Sequence, residues 1–268
     1  MLFLVFIILS AFAAALYIAL AAQATVWGAV GVFVLGYLGL NVLFVAFFFL
    51  HSLFLPRLEP EQGIEKQRPF CRGLCRVAAQ FVCGWLGARP RFKGLDKLPD
   101  TPFLFVCNHR SGFDPLIVIG WLDKYNIAFV SKPSNLEIPG VGKTVRHVGY
   151  LALNRENNRE ALKTILQAAD YLKRGVCSIG IYPEGTRSRS GELLPFHAGS
   201  FKIAQKAGVP VAVACVRGTE NVKKHHFLLP TPVELEILET IPVERVKAMS
   251  TADLADEAKR VIAEGIRS

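Results

Sequence analysis

Two short loops carry the side chains best suited to chemistry. The first is Asn108-His109-Arg110-Ser111-Gly112-Phe113-Asp114-Pro115, in which an aspartate follows a histidine by five residues with a glycine between them. The glycine lets the chain fold back, so that the carboxylate meets one imidazole nitrogen and the other is left to accept a proton from a hydroxyl. Asp-Pro is equally an ordinary helix start, with the aspartate as N-cap and proline at the first helical position, and His109 is then a hydrogen-bonded loop residue. The second loop is Pro183-Glu184-Gly185-Thr186-Arg187-Ser188-Arg189. Backbone amides, a hydroxyl and arginines together can hold a phosphate, because a guanidinium donates paired hydrogen bonds in the geometry phosphate accepts. Glu184 is expected to orient an arginine there. Taken by itself, this loop also reads as a solvated turn with a surface ion pair.

Other chemistries are disfavoured. No Walker lysine motif and no GxSxG occurs, which argues against a nucleotide phosphotransferase and against a serine hydrolase with a nucleophile elbow. The six histidines and six cysteines form no ligand-spaced cluster, so neither a metal nor a bound cofactor is expected. Cys71 and Cys75 make a CxxxC without a second pair, and free thiols in a reducing cytoplasm are the expectation for all six.

Both loops must be held by regular elements. The first follows the apolar run Phe103 to Cys107 and the second the run Cys177 to Tyr182; Ile127 to Ser131, Tyr150 to Leu153 and Val209 to Val216 are similar runs. Short, uniformly apolar runs between turn signals suit strands buried on both faces. Val233 to Ile237 is expected as an edge strand. Helical periodicity occupies Asn158 to Arg174, then His197 or Ala198 to Ala207, each stopped by a glycine, and Ser250 to Asp253 reads as a capping box for a helix to about Ile266. The fold class is therefore α/β, with a mixed, mostly parallel sheet flanked by helices, spanning residues 91–268. In such sheets ligands collect at the carboxyl ends of strands, where both loops lie.

The charge distribution sets the environment. Net charge is +9, yet the first charged residue is Arg57, and 45 of the first 55 residues are apolar. Two solvents are implied, and a nucleic-acid-binding protein, a collagenous chain or a disordered tail does not fit. Leu2 to Ala22 and Val26 to Leu50 are each long enough to cross a hydrocarbon core of about 30 Å, and Gln23-Ala24-Thr25 joins them, so residues 1–55 read as a transmembrane or leaflet-embedded helical hairpin. A cleaved signal peptide ending near Ala22-Gln23-Ala24 is the competing reading, but the basic n-region is missing. Arg57, Lys66, Arg68, Arg72 and Arg76 outnumber Glu59, Glu61 and Glu65, which places the following domain in the cytoplasm. Residues 56–90 form a linker and an amphipathic helix from Arg68 to Trp85. Its arginine stripe suits the surface of an anionic leaflet or, alternatively, a solvated face of a helix packed on the domain.

The blocks also come in a recognisable order. Asn108-His109 with Asp114, Gly149 through Arg155, Pro183-Glu184-Gly185-Thr186-Arg187 and Val209-Pro210-Val211 resemble the four motif blocks of the glycerolipid acyltransferases. Over about residues 85 to 220 the chain is similar to the 1-acylglycerol-3-phosphate acyltransferases. The resemblance implies transfer of a fatty acyl chain from acyl carrier protein or coenzyme A to the free hydroxyl of lysophosphatidic acid, at the cytoplasmic face of the cell membrane. It implies His109 as general base, Asp114 as the group fixing its tautomer, and Arg187 with Glu184, Gly185 and Thr186 as the phosphate-binding block. Arg155 matches the basic end of the second block, and Lys132 is a further candidate for the same anion. Amides near Gly112 or Gly185 are candidates for the oxyanion. The second block carries Asn154 where an acidic or other polar residue is frequent, and His197 stands where lysine is common; both bear on the headgroup side rather than on the dyad.

Overall fold

The structure, a computed structural model, describes residues 2–21, 23–58, 63–188, 191–224 and 229–267; Ala22, Glu59, Glu61 and Arg189, invoked above, lie outside them. The chain divides into two compact units, Met1–Pro56 with Pro139–Val141, and the remainder.

In the first unit, α1 (Leu2–Leu20) and α2 (Val26–Phe54) are long and apolar enough to cross a bilayer. They are not core helices of the usual kind, because Ile8, Phe12, Leu35, Val42 and Leu53 all face outward. Thr25 caps α2 by accepting from the Gly28 amide, and the two helices pack through small residues, with Gly28 under the Tyr17 ring and Gly36 against Ser10. Asn41 and Ser52 donate back to the carbonyls of Tyr37 and Phe49, which satisfies polar groups where no water would.

The second unit is a seven-stranded sheet in the order β1-β7-β6-β2-β5-β3-β4. The strands are β1 (Ala88–Lys93), β2 (Leu104–Cys107), β3 (Ile127–Ser131), β4 (Leu151–Ala152), β5 (Ser178–Ile181), β6 (Val211–Arg217) and β7 (Thr231–Ile241). From β6 to β4 all neighbours are parallel; β7 runs antiparallel to β6, and β1 lies parallel to β7. The side-chain alternation of each strand feeds two cores. Leu104, Val106, Ile179, Ile181, Val211 and Val213 face α6 (Asn158–Lys173), α7 (Lys202–Ala207) and α9 (Thr251–Arg267), while Phe105, Phe129, Ala212 and Leu235 face α4 (Asp114–Trp121). The expected capping box is present: Ser250 Oγ donates to Asp253 and accepts from its amide, at 2.7 and 3.1 Å.

One strand expectation is corrected. Val233 to Ile237 belongs to β7, which is interior, and the edge is β1. Ala88-Arg-Pro-Arg-Phe-Lys offers too few apolar residues to read as a strand, and its proline is tolerated because an edge strand leaves one row of amides unpaired. The amphipathic helix is α3 (Pro69–Trp85), packed on α4. Arg72 and Arg76 both pair with Asp123, at 3.1 and 3.3 Å, so two arginines of the basic stripe are engaged by the domain.

Candidate active site

β2, β5, β3, β4 and β6 are parallel, so the loops that follow them emerge on one edge of the sheet. Asn108, fully buried, directly follows β2. Its amide group donates to the Val216 carbonyl at 3.0 Å and its oxygen accepts from the Val216 amide at 2.8 Å, which fixes the loop to β6. The next residue, His109, is held from both sides by the loop after β5: its amide donates to Glu184 Oε1 at 2.7 Å and its carbonyl accepts from the Ser188 amide at 2.9 Å.

The imidazole is oriented in two ways. Its Nδ1 lies 2.8 Å from Asp114 Oδ2, and its ring stacks on Tyr182 with centroids 4.3 Å apart and planes 15° from parallel. Tyr182 in turn stacks on Phe129 at 5.2 Å, so an aromatic column from the core supports the ring. Phe129 lies flat across Gly180 of β5, where a Cβ would come within 2.5 Å of its ring. Asp114 is 1 % exposed, and its Oδ2 also accepts from the amides of Arg110 and Ser111, at 2.7 and 2.8 Å. Asp114 thus turns back onto the loop, and the reading of this residue as an ordinary N-cap does not hold: α4 begins at Asp114 itself, with no side-chain cap. An acceptor-only carboxylate at Nδ1 requires the proton there, which leaves Nε2 as the acceptor.

Glu184 differs from expectation. Among the described residues it orients no arginine; its two oxygens take the amides of His109 and Leu194, so it is a buried strut between loops. Burial pushes its pKa up against the lowering effect of those amides. Burial likewise pushes Tyr182 and Cys107 well above their ordinary values, which keeps both protonated and removes Cys107 as a nucleophile.

The cationic candidates are partly gathered. Arg187 is exposed, and its Nη1 would lie 3.7 Å from a Cβ on Gly112, beside the histidine loop. The Arg155 guanidinium lies against Gly185, where any Cβ would collide with it, and Gly185 has a φ of +76°. Protein crowding lowers the Arg155 pKa although the residue remains largely exposed. Neither arginine has an acidic partner among the described residues. Thr186 is exposed beside them. Lys132 stands at the end of β3, two strands from β2, and makes no contact with either arginine among the described residues. The Gly185 amide is taken by the Tyr182 carbonyl and is not free for an oxyanion. Beside Arg155 opens a groove of about 310 Å³, lined by Val130, Leu153, Ile165, Ile181, His197 and Ile203 among others.

Three contributors were missed from the sequence: Tyr182, which supports the imidazole, Thr219, which donates to Asp114 Oδ1, and Arg110, which reaches Glu220 at 2.8 Å. Tyr182 closes the apolar run of β5 and Thr219 comes two residues after the end of β6, so both sit at strand ends, which is the signal that marked the other loops.

Comparison with known proteins agrees with this arrangement. The family described as Acyltransferase matches residues 89–217. The chain is 34% identical over 181 residues to the chloroplastic 1-acyl-sn-glycerol-3-phosphate acyltransferase BAT2 of Brassica napus, covering 65% of this chain and 50% of that one. It is 31% identical over 163 residues to 1-acyl-sn-glycerol-3-phosphate acyltransferase of Escherichia coli (strain K12), covering 61% and 66%. The chain thus spans between half and two thirds of the length of these curated relatives. The crystal structure of the 1-acyl-sn-glycerophosphate (LPA) acyltransferase PlsC from Thermotoga maritima superposes with a TM-score of 0.63 at 26% identity, covering 86% of this chain and 91% of that one.

Proposed function

Because the chain belongs to the acyltransferase family, we propose that it acylates the sn-2 hydroxyl of lysophosphatidic acid to give phosphatidic acid, using an acyl thioester of acyl carrier protein or coenzyme A. The observation that carries this reading is the His109–Asp114 pair, set at the carboxyl ends of the parallel strands with two arginines on the adjoining loops that have no acidic partner among the described residues. Arg187, with Thr186, and Arg155 receive the acceptor phosphate, Gly185 leaving the space that the Arg155 guanidinium occupies; Lys132 adds positive charge at the same edge.

The geometry supports the following course for the reaction. His109 Nε2 takes the proton of the acceptor hydroxyl as its oxygen attacks the thioester carbonyl. The imidazolium so formed is stabilised by Asp114 across the 2.8 Å contact. As the tetrahedral intermediate collapses, the C–S bond breaks and the proton passes from Nε2 to the departing thiolate, so no acyl-enzyme is needed. Residues 1–55 hold the chain in the bilayer, residues 56–90 contribute a basic helix at its surface, and residues 91–268 perform the chemistry on the cytoplasmic side. The basic surface suits either an acidic carrier protein or the phosphates of coenzyme A.

The test is a matrix of donors and acceptors in nanodiscs with free thiol as the readout. Acyl-carrier and coenzyme A thioesters are each offered lysophosphatidic acid, lysophosphatidylglycerol and glycerol 3-phosphate. Thiol release with lysophosphatidic acid is expected; release only with another acceptor, or binding of phosphatidic acid with no release at all, overturns the assignment.

A further inference from the structure

The carboxylate of Asp114 is held by more than its own loop. Oδ2 takes His109 Nδ1 and the amides of Arg110 and Ser111, while Oδ1 accepts the hydroxyl of Thr219, a fully buried residue 105 positions later. Thr219 follows the end of β6 through Gly218, whose φ is +85° and whose Cβ, if present, would lie 2.4 Å from the Pro232 carbonyl oxygen. Only glycine permits that turn, and the turn aims the threonine at the dyad. The next residue, Glu220, accepts from Arg110 Nη2 at 2.8 Å, and Arg110 Nη1 donates to the Gly191 carbonyl. The loop after β6 therefore grips Asp114 directly and also its neighbour Arg110, and through Arg110 it reaches the loop that carries Arg187.

We propose that Thr219 is a positioning residue for acyl transfer, acting through Asp114, and that the Arg110–Glu220 pair braces it there. The inference rests on the reading of His109 and Asp114 as the base and its partner. With its hydroxyl, Thr219 pins one carboxylate oxygen so that the other must face the imidazole; without it, a buried oxygen loses its only donor among the described residues and the carboxylate is free to turn. The less neutralised carboxylate also favours the protonated imidazole, so the base is blocked to higher pH. Other charged and titratable groups around the dyad are Glu184, at the His109 amide, Arg110, turned toward Glu220, and the buried Cys107 and Tyr182. Thr219→Val alters none of them.

The experiment uses the full-length protein in nanodiscs with whichever acceptor it turns over. Thr219→Val is expected to lower kcat roughly 10- to 100-fold with KM held within about twofold, and to move the acid limb of the rate profile up by about half a pH unit or more. Thr219→Ser, which retains the hydroxyl, recovers both. An activity-independent readout is the pH dependence of His109 carbethoxylation, followed by peptide mass spectrometry, whose midpoint should move in the same direction. Wild-type kcat and profile in Thr219→Val overturn the proposal, as does a loss of melting temperature with no movement of either profile. Should Thr219→Val fail to fold, Glu220→Gln carries the test: it must lower kcat at constant KM, and unchanged kcat overturns the brace. If no lysophospholipid is acylated yet the carbethoxylation midpoint still shifts, the substrate reading fails and the positioning role stands.

Discussion

Asp114→Asn tests the dyad with the least disturbance to the fold. The carboxamide oxygen can occupy the place of Oδ2 and keep all three donors, from His109, Arg110 and Ser111, while its NH₂ turns to Thr219, whose hydroxyl can accept as readily as donate. The imidazole tautomer is therefore preserved, and what disappears is the negative charge facing the imidazolium. With charge centres ~4 Å apart and an effective dielectric constant of about 20, that interaction amounts to about 4 kcal/mol. At ~1.4 kcal/mol per decade, kcat should fall about 10³-fold. KM should hold within about twofold, since neither arginine loop depends on that charge. The assay is thiol release under saturating donor and acceptor, with the melting temperature measured alongside. A variant that folds normally and retains more than a tenth of the wild-type kcat refutes the reasoning, because the imidazolium would then be stabilised by something other than Asp114.

Three further outcomes follow from the same geometry. Arg187→Ala should raise the acceptor KM roughly 10- to 100-fold and leave the donor KM unchanged, as expected for one lost charged hydrogen-bonding group, with Arg187→Lys in between; equal effects on both substrates would place it elsewhere. Gly180→Ala should cost about 1–3 kcal/mol in thermal unfolding and lower kcat as well, because its Cβ displaces Phe129 and with it the Tyr182 platform under His109; a stability loss without a kcat loss would separate the column from catalysis. Glu184 holds its proton to higher pH in the folded protein than in the unfolded chain, so its contribution to stability is complete below the ordinary carboxylate range and is lost as pH rises through its raised folded value. Glu184→Gln should flatten that part of the stability profile in pH-dependent melting, while lowering stability overall because a carboxamide nitrogen now opposes one of two amide donors.

Much of the fold was legible because its elements are local. Ile127–Ser131 is read to its ends from an apolar run between turns, and the last helix from a reciprocal Ser250–Asp253 cap, both features of consecutive residues. β1 was not legible, since an edge strand with a proline and alternating charge carries no apolar signature. The same distinction applies within the site. The type and order of His109, Asp114, Gly185 and Arg187 are in the sequence; that Asp114 folds back on the loop rather than capping its helix is not, because either hydrogen-bonding pattern satisfies Asp-Pro.

What the sequence alone determined is the division between a charge-free apolar segment and an alternating α/β segment, with the reactive groups in loops after buried strands. Hydrophobic periodicity and charge exclusion are one-dimensional properties and survive without a partner. The division of labour arises only in three dimensions: Glu184 as a strut between loops, Tyr182 as platform, and Thr219 joined to Asp114 across 105 residues. Those roles depend on parallel strands placing distant loops on one edge, and the order of strands in a sheet is written in no single segment of the chain.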